Sequence, residues 1–279
     1  MRASPSFPEQ HCNVEGIDMR YIEAGHGEAV MLIHGSLCDY RYWRWQVDDL
    51  AKSFRVIAPS LPGCWPTPLQ RTEAYQSGES RYGIAQHVHA IIALIQKLVP
   101  DGVIHLLGHS RGAQIALEAS LAMPDREGRL VLADPGFAFA NEQVDRPVHR
   151  DIVSKLAEHP LDAVLGEFVD AVNGAGTWRR TVPWFKDMVR ANAWTLVPQM
   201  QELHLAVDPQ TVAETLTRPV LLIGGEQSPP RYGSRIDILE RILNDAQREV
   251  VPRAAHGMNL ANAPYFNEAL RRFLLPPPT

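Results

Sequence analysis

The chain has 279 residues, 45% hydrophobic and 21% charged, and a formal net charge of −5. Acidic and basic residues are mixed along it, so no basic block points to nucleic acid and no polybasic patch to an anionic membrane. Its three cysteines, Cys12, Cys38 and Cys64, have neither zinc-site spacing nor disulfide density, and MRASPSFPEQ lacks an apolar leader, so a cytoplasmic protein is expected.

In chain order, the first buried run is Val30–Ile33 (VMLI), ending in His34-Gly35. Val56–Ala58 (VIA) follows, ahead of Leu61-Pro62-Gly63. The spacing of Ile84, Val88, Ile91, Ile92, Ile95 and Leu98 predicts a helix over Tyr82–Leu98, with Pro100 ending it. Val103–Leu107 (VIHLL) runs into Gly108, and a helical pattern covers Gln114–Met123. Leu130–Ala133 (LVLA) ends at Asp134, and Val220–Ile223 (VLLI) ends at Gly224. Helical patterns at Ile236–Leu243 and Phe266–Leu274 close the chain. Short apolar runs without alternation suit strands covered by helices on both faces. Their alternation with helical segments predicts an α/β protein with a mostly parallel central sheet.

Between Phe137 and Pro209 the rhythm breaks. This stretch carries Trp178, Trp184 and Trp194 but no clear buried strand, and NGAG at Asn173–Gly176 punctuates it. It reads as a helical cap, residues 137–209, inserted into a core made of residues 1–136 and 210–279. No apolar run approaches the roughly 18 residues needed to span a bilayer.

Gly108-His109-Ser110-Arg111-Gly112 matches GxSxG, with a strand before it and a helix after it. A strand that reverses at once into a helix forces the turning residue into strained dihedrals and lifts its side chain clear. Glycines on either side remove the Cβ atoms that would collide. Ser110 then stands at a helix N-terminus, where free N–H groups favour developing negative charge. A serine hydroxyl needs a base. Of eleven histidines, His256 is the best placed, in a loop between Val250–Val251 and the last helix. His34 ends a strand and braces a loop; His109 points elsewhere in such a turn; His87, His89 and His105 read as structural.

His34-Gly35, the GxSxG at Ser110 and a late His256, in that order, resemble the α/β-hydrolase superfamily over nearly the whole chain. The resemblance implies an α/β-hydrolase fold with a cap, and a serine hydrolase that forms an acyl-enzyme on Ser110 with His256 as base. It also implies an oxyanion hole from the backbone N–H of Arg111 and of Ser36, or else Leu37. Two positions depart from the family pattern. Ser60 stands before Leu61-Pro62-Gly63 in place of an acid. Ser228 stands in Gly224-Gly225-Glu226-Gln227-Ser228 where the orienting acid usually lies. Asp134, at the end of Leu130–Ala133, is the preferred acid, because some members of the family use an acid there; Glu226 is the alternative, then Asp208, Asp237 or no acid at all.

A serine nucleophile in place of a carboxylate disfavours dehalogenation and epoxide opening. It points to a small-molecule ester or lactone, with no cofactor and no metal. Carbon–carbon bond hydrolysis, cofactor-free perhydrolysis and a slow ligand-binding protein on the same frame are the alternatives. Leu37, Trp43, Trp178 and Trp184 are the candidate pocket residues, and Tyr40, Tyr42 and Trp45 lie beside them in sequence. Arg111 is expected to make a local salt bridge or to meet a substrate carbonyl or carboxylate.

Overall fold

The computed structural model describes residues 7–76, 82–140, 147–199 and 206–275. In chain order these form β1 (Glu9–Val14), β2 (Ile17–Ala24), β3 (Ala29–Ile33), α1 (Arg44–Leu50), β4 (Arg55–Pro59), α2 (Arg71–Gln76), α3 (Ile84–Leu98), β5 (Ile104–His109), α4 (Arg111–Ala122), β6 (Leu130–Ala133) and β7 (Ala138–Phe139). Then come α5 (Pro147–Glu158), α6 (Leu161–Asn173), α7 (Thr177–Arg180), α8 (Pro183–Ala191), α9 (Leu196–Gln199), β8 (Ala206–Val207) and α10 (Pro209–Thr215). The chain closes with β9 (Val220–Gly225), α11 (Pro230–Ile242), β10 (Ala246–Val251), α12 (Met258–Ala261) and α13 (Ala263–Leu274).

Eight strands form one sheet in the order β1-β2-β4-β3-β5-β6-β9-β10. β2 pairs antiparallel with β1 and β4, and the other pairings are parallel. The five apolar runs read from the sequence are its central strands. Both faces are covered, so β3, β5 and β6 are buried along their whole length. Side chains still alternate between two cores. Met31 and Ile33 join Leu106, Leu132 and Leu222 against α3, α4 and α11. Val30 and Leu32 join Leu107, Val131 and Ile223 against α1 and α13, with Trp43 and Phe266. β1, β2 and β10 have no matching apolar run in the sequence reading. The outer strands EQHCNV and AQREVV are largely exposed, because an edge faces water and tolerates polar residues.

Helices α5 to α9 make up much of the chain between β6 and β9 and have a core of their own. Ile152, Leu156, Val164, Leu165, Phe168, Val189 and Leu196 pack together, and Leu37, from the loop after β3, joins them. The stretch also contains strand, against the sequence reading: β7 and β8 pair in parallel over two residues. Phe137, Phe139 and Val207 pack into the main core instead. A two-residue ladder is too short to show any periodicity.

Candidate active site

Ser110 sits between β5 and α4 with φ +56° and ψ −120°. Three backbone bonds hold it there: Ser110 N donates to Ala133 O at 2.9 Å, and Ser110 O accepts from Ala113 N at 3.0 Å and Gly136 N at 2.9 Å. The glycines are steric necessities. A Cβ on Gly108 would lie 2.2 Å from Gly112 O, and one on Gly112 would lie 2.3 Å from Ile33 O. The loop after β3 lies directly against the elbow, since a Cβ on Gly35 would be 3.0 Å from Ser110 Cβ.

His34 sets that loop. It is buried, and its Nε2 accepts from Leu61 N at 3.0 Å, so its Nδ1–H must donate to Gly35 O at 2.9 Å. Burial lowers its pKa to about 4, which keeps this one tautomer. Ser36 Oγ donates to Gln199 Oε1 at 2.7 Å and ties the loop to α9. Ser60, in place of the family's acid, accepts from Tyr40 N through Oγ at 3.2 Å.

His256 and Asp134 meet. His256 Nδ1–H donates to Asp134 Oδ2 at 3.0 Å, which leaves Nε2 unprotonated and able to take a proton. Both side chains are almost completely buried. Burial pushes the Asp134 carboxyl up, against the hydrogen bond from Ser228. Burial and the nearby cations Arg231 and Arg235 push the His256 imidazole down. The resting imidazole is therefore neutral, as a general base must be.

Ser228 has a place in this arrangement. Its hydroxyl donates to Asp134 Oδ2 at 2.5 Å. The position where an acid was expected thus supports an acid delivered from the neighbouring strand. Glu226 does not reach the imidazole; its Oε2 accepts from Arg253 N at 2.7 Å and fixes the loop that leads to His256. Asp208 caps α10 through Gln210 and Thr211, and Asp237 pairs with Arg248 at 2.6 Å.

Several neighbours of the imidazole carry no signal in the sequence. Tyr232 stacks on His256 with ring centroids 4.2 Å apart and planes 15° apart. His109 points away from the elbow, as expected, yet returns beneath His256: its Nε2–H donates to His256 O at 2.8 Å. Asn173, at the end of α6, accepts from Gly257 N at 2.8 Å. Arg111 turns inward, with Nη1 2.8 Å from His87 Nδ1 and Nη2 3.5 Å from Tyr82 O. Five non-glycine residues among those described take positive φ, and four of them, Leu37, Ser110, Asp134 and Arg253, surround this site. Strain of this kind persists only where surrounding structure holds it.

Ser110 and His256 open onto a cavity of about 970 Å³, bordered also by Leu37, Trp184, Phe168 and Tyr42. Two expected lining residues are elsewhere. Trp43 is fully buried one layer down, edge-on to Tyr42 at 5.2 Å, because its indole fills the core under the first helix; Tyr42 and Trp45 reach the cavity instead. Trp178 packs on Gly166, where an added Cβ would lie 2.8 Å from its ring, with Lys186 over the indole at 5.1 Å. Among the described residues no group of three or more His, Cys, Asp or Glu is placed to hold a metal ion. None of the described helices is long and apolar enough to cross a membrane.

A mostly parallel sheet that presents a strained serine at a strand-to-helix elbow defines an α/β-hydrolase architecture. The chain belongs to the alpha/beta hydrolase family, whose model matches residues 30–269. It is 32% identical to a 2-hydroxy-6-oxo-6-phenylhexa-2,4-dienoate hydrolase of Burkholderia cepacia, over 90% of this chain and 89% of that protein. It is 23% identical to a 2-hydroxy-6-oxo-6-(2'-aminophenyl)hexa-2,4-dienoic acid hydrolase of Metapseudomonas resinovorans, over 98% of this chain and 93% of that protein. In fold it is similar to the enol-lactonase of Burkholderia xenovorans LB400, with a TM-score of 0.76 and 18% identity over 95% of this chain and 99% of that chain.

Proposed function

We propose that the protein is a serine hydrolase that cleaves a carboxylic ester or lactone through an acyl-enzyme. Ser110 is the nucleophile, His256 the general base and then general acid, and Asp134 the group that orients and stabilises the imidazole. The observation that carries this reading is the Asp134–His256 contact of 3.0 Å beside a cavity that Ser110 also borders. His256 Nε2 takes the Ser110 proton as Oγ adds to the acyl carbon. The oxyanion is held by the N–H of Arg111, first residue of α4, and by that of Ser36 or Leu37 in the adjoining loop. His256 returns the proton to the leaving group, then activates a water that frees Ser110. Three free cysteines suit a cytoplasmic setting.

A second reading, carbon–carbon bond hydrolysis, is favoured by the two dienoate hydrolases, to which the chain is similar along most of its length. It uses the same serine and base on a vinylogous keto acid. Labelling with a fluorophosphonate tests the nucleophile: wild type should be labelled and Ser110→Ala should not. Equal labelling of the two, or none of wild type, would overturn the proposal. A panel of aryl esters, lactones and dienoates then separates the two bond types by kcat/KM.

A further inference from the structure

We propose that the cavity accepts a substrate bearing a carboxylate, and that Arg231, with Arg180 and Arg253, holds this anion at the end of the cavity formed where α6, α11 and the His256 loop meet. The inference deepens the hydrolase reading, on which its catalytic consequence rests; the binding itself does not depend on that reading.

Among the described residues five arginines line the cavity, Arg111, Arg180, Arg231, Arg235 and Arg253, and no Asp or Glu does. The whole chain is acidic, with 32 Asp and Glu against 27 Lys and Arg, so this excess is local. Arg111 and Arg235 are buried and turned to protein partners, His87 and the Pro135 carbonyl. The other three are exposed. Arginines elsewhere meet carboxylates, as Arg190 meets Asp162 at 2.7 Å and Arg248 meets Asp237 at 2.6 Å. Among the described residues Arg180, Arg231 and Arg253 form no ion pair.

Arg231 is the anchor. Its Nη2 makes two long contacts with neutral acceptors, Ala171 O at 3.3 Å and Tyr232 Oη at 3.4 Å. Its guanidinium lies 4.7 Å from the centroid of the Tyr232 ring, which stacks on His256. A guanidinium has five N–H donors in a planar fork suited to a carboxylate, and two long contacts to one nitrogen leave most of them available. Arg253 leads into the His256 loop with its backbone pinned by Glu226. Arg180 ends α7, where its Nη1 would lie 3.1 Å from a Cβ on Gly176. The end of α6 joins these parts, since Ala171 meets Arg231 and Asn173 holds Gly257.

The charge also bears on the reaction. Acyl transfer requires a transient imidazolium at His256, and Arg231 and Arg235 both oppose it. A neutral substrate reacts against that field. A carboxylate on Arg231 offsets it, so the anion supports the proton transfer while taking no part in bond making.

Calorimetry with 4-phenylbutyrate and its neutral amide tests the site. Wild type should bind the carboxylate roughly tenfold to a hundredfold more tightly than the amide. The preference should shrink as salt is raised, disappear largely in Arg231→Gln and survive in part in Arg231→Lys. Arg253→Gln, with its side chain exposed, should weaken carboxylate binding less than Arg231→Gln. Equal binding of acid and amide, binding of neither, or an undiminished preference in Arg231→Gln would overturn the proposal. Fluorophosphonate labelling reads the nucleophile separately. Loss of labelling with the anion preference intact would sink the hydrolase reading alone, and labelling without the preference would sink the anion site alone.

Discussion

At Asp134 a single side chain decides how the imidazole is held. Asp134→Asn should lower kcat on an aryl ester by about 10⁴-fold, because the amide presents the wrong partner to Nδ1. Asparagine tolerates the φ of +41° at this position, so the backbone should survive. Glu226→Gln should stay within a few-fold of wild type, since Glu226 binds the Arg253 amide. The reverse pattern in kcat would show that the orienting acid is misassigned. Ser228→Ala removes the O–H donor from Asp134 Oδ2. Loss of a donor disfavours the carboxylate, so the Asp134–His256 pair takes up its proton at higher pH. The acid limb of the kcat/KM profile should move upward from the wild-type position, which burial and the neighbouring arginines hold below the ordinary histidine value. An unmoved limb would mean that Ser228 does not act on the pair.

The elbow is a property of three elements, β5, α4 and the turn after β6. Gly136 lies in that turn, and a Cβ there would stand 2.7 Å from Ser110 C and 2.9 Å from Arg111 N. Both are backbone atoms without freedom to yield. Gly136→Ala should displace the nucleophile and the first oxyanion donor together, with a fall in kcat of about 10² or more in a protein that retains its circular dichroism spectrum. Gly233 provides the contrast. It lies in α11 with nothing within 4 Å of an added Cβ, so Gly233→Ala should raise unfolding stability by about 0.5–1 kcal/mol. Urea melts of the two variants check the pair; a Gly136→Ala protein with wild-type kcat would show that the turn does not position Ser110.

Across the whole molecule, buried imidazoles govern the response to acid. Burial lowers His34 to about 4 and His109 to about 3, and holds His87 well below its ordinary value. Unfolding releases all three to titrate near 6.5, so the unfolded chain binds more protons as pH falls and the folded state loses stability. Each contributes up to about 1.4 kcal/mol per pH unit below that point, or about 4 kcal/mol together by pH ~5.5. The raised carboxyl of Asp134 opposes the trend, and the lowered imidazoles of His256 and His105 add to it. Thermal melts from neutral to mildly acidic pH should show Tm falling steadily; a flat Tm would refute this account. The same scale separates what the sequence carries from what it lacks. Runs such as VMLI, LVLA and VLLI are legible because a strand buried on both faces must be apolar throughout, and GxSxG is legible because its glycines answer to local sterics. The turn at Ser110 follows from those rules, and His256 is expected from its loop between Val250–Val251 and the last helix. Edge strands β1 and β10 are not legible, since one side faces water. Nor is the fate of Trp43 and Trp178, because an indole is equally suited to a core and to a cavity wall. The sequence by itself determined the five central strands and the elbow. Only the tertiary structure brought Ser228 onto Asp134, Tyr232 onto His256 and five arginines around one cavity, because those contacts join residues far apart in the chain and depend on the direction each side chain takes in space.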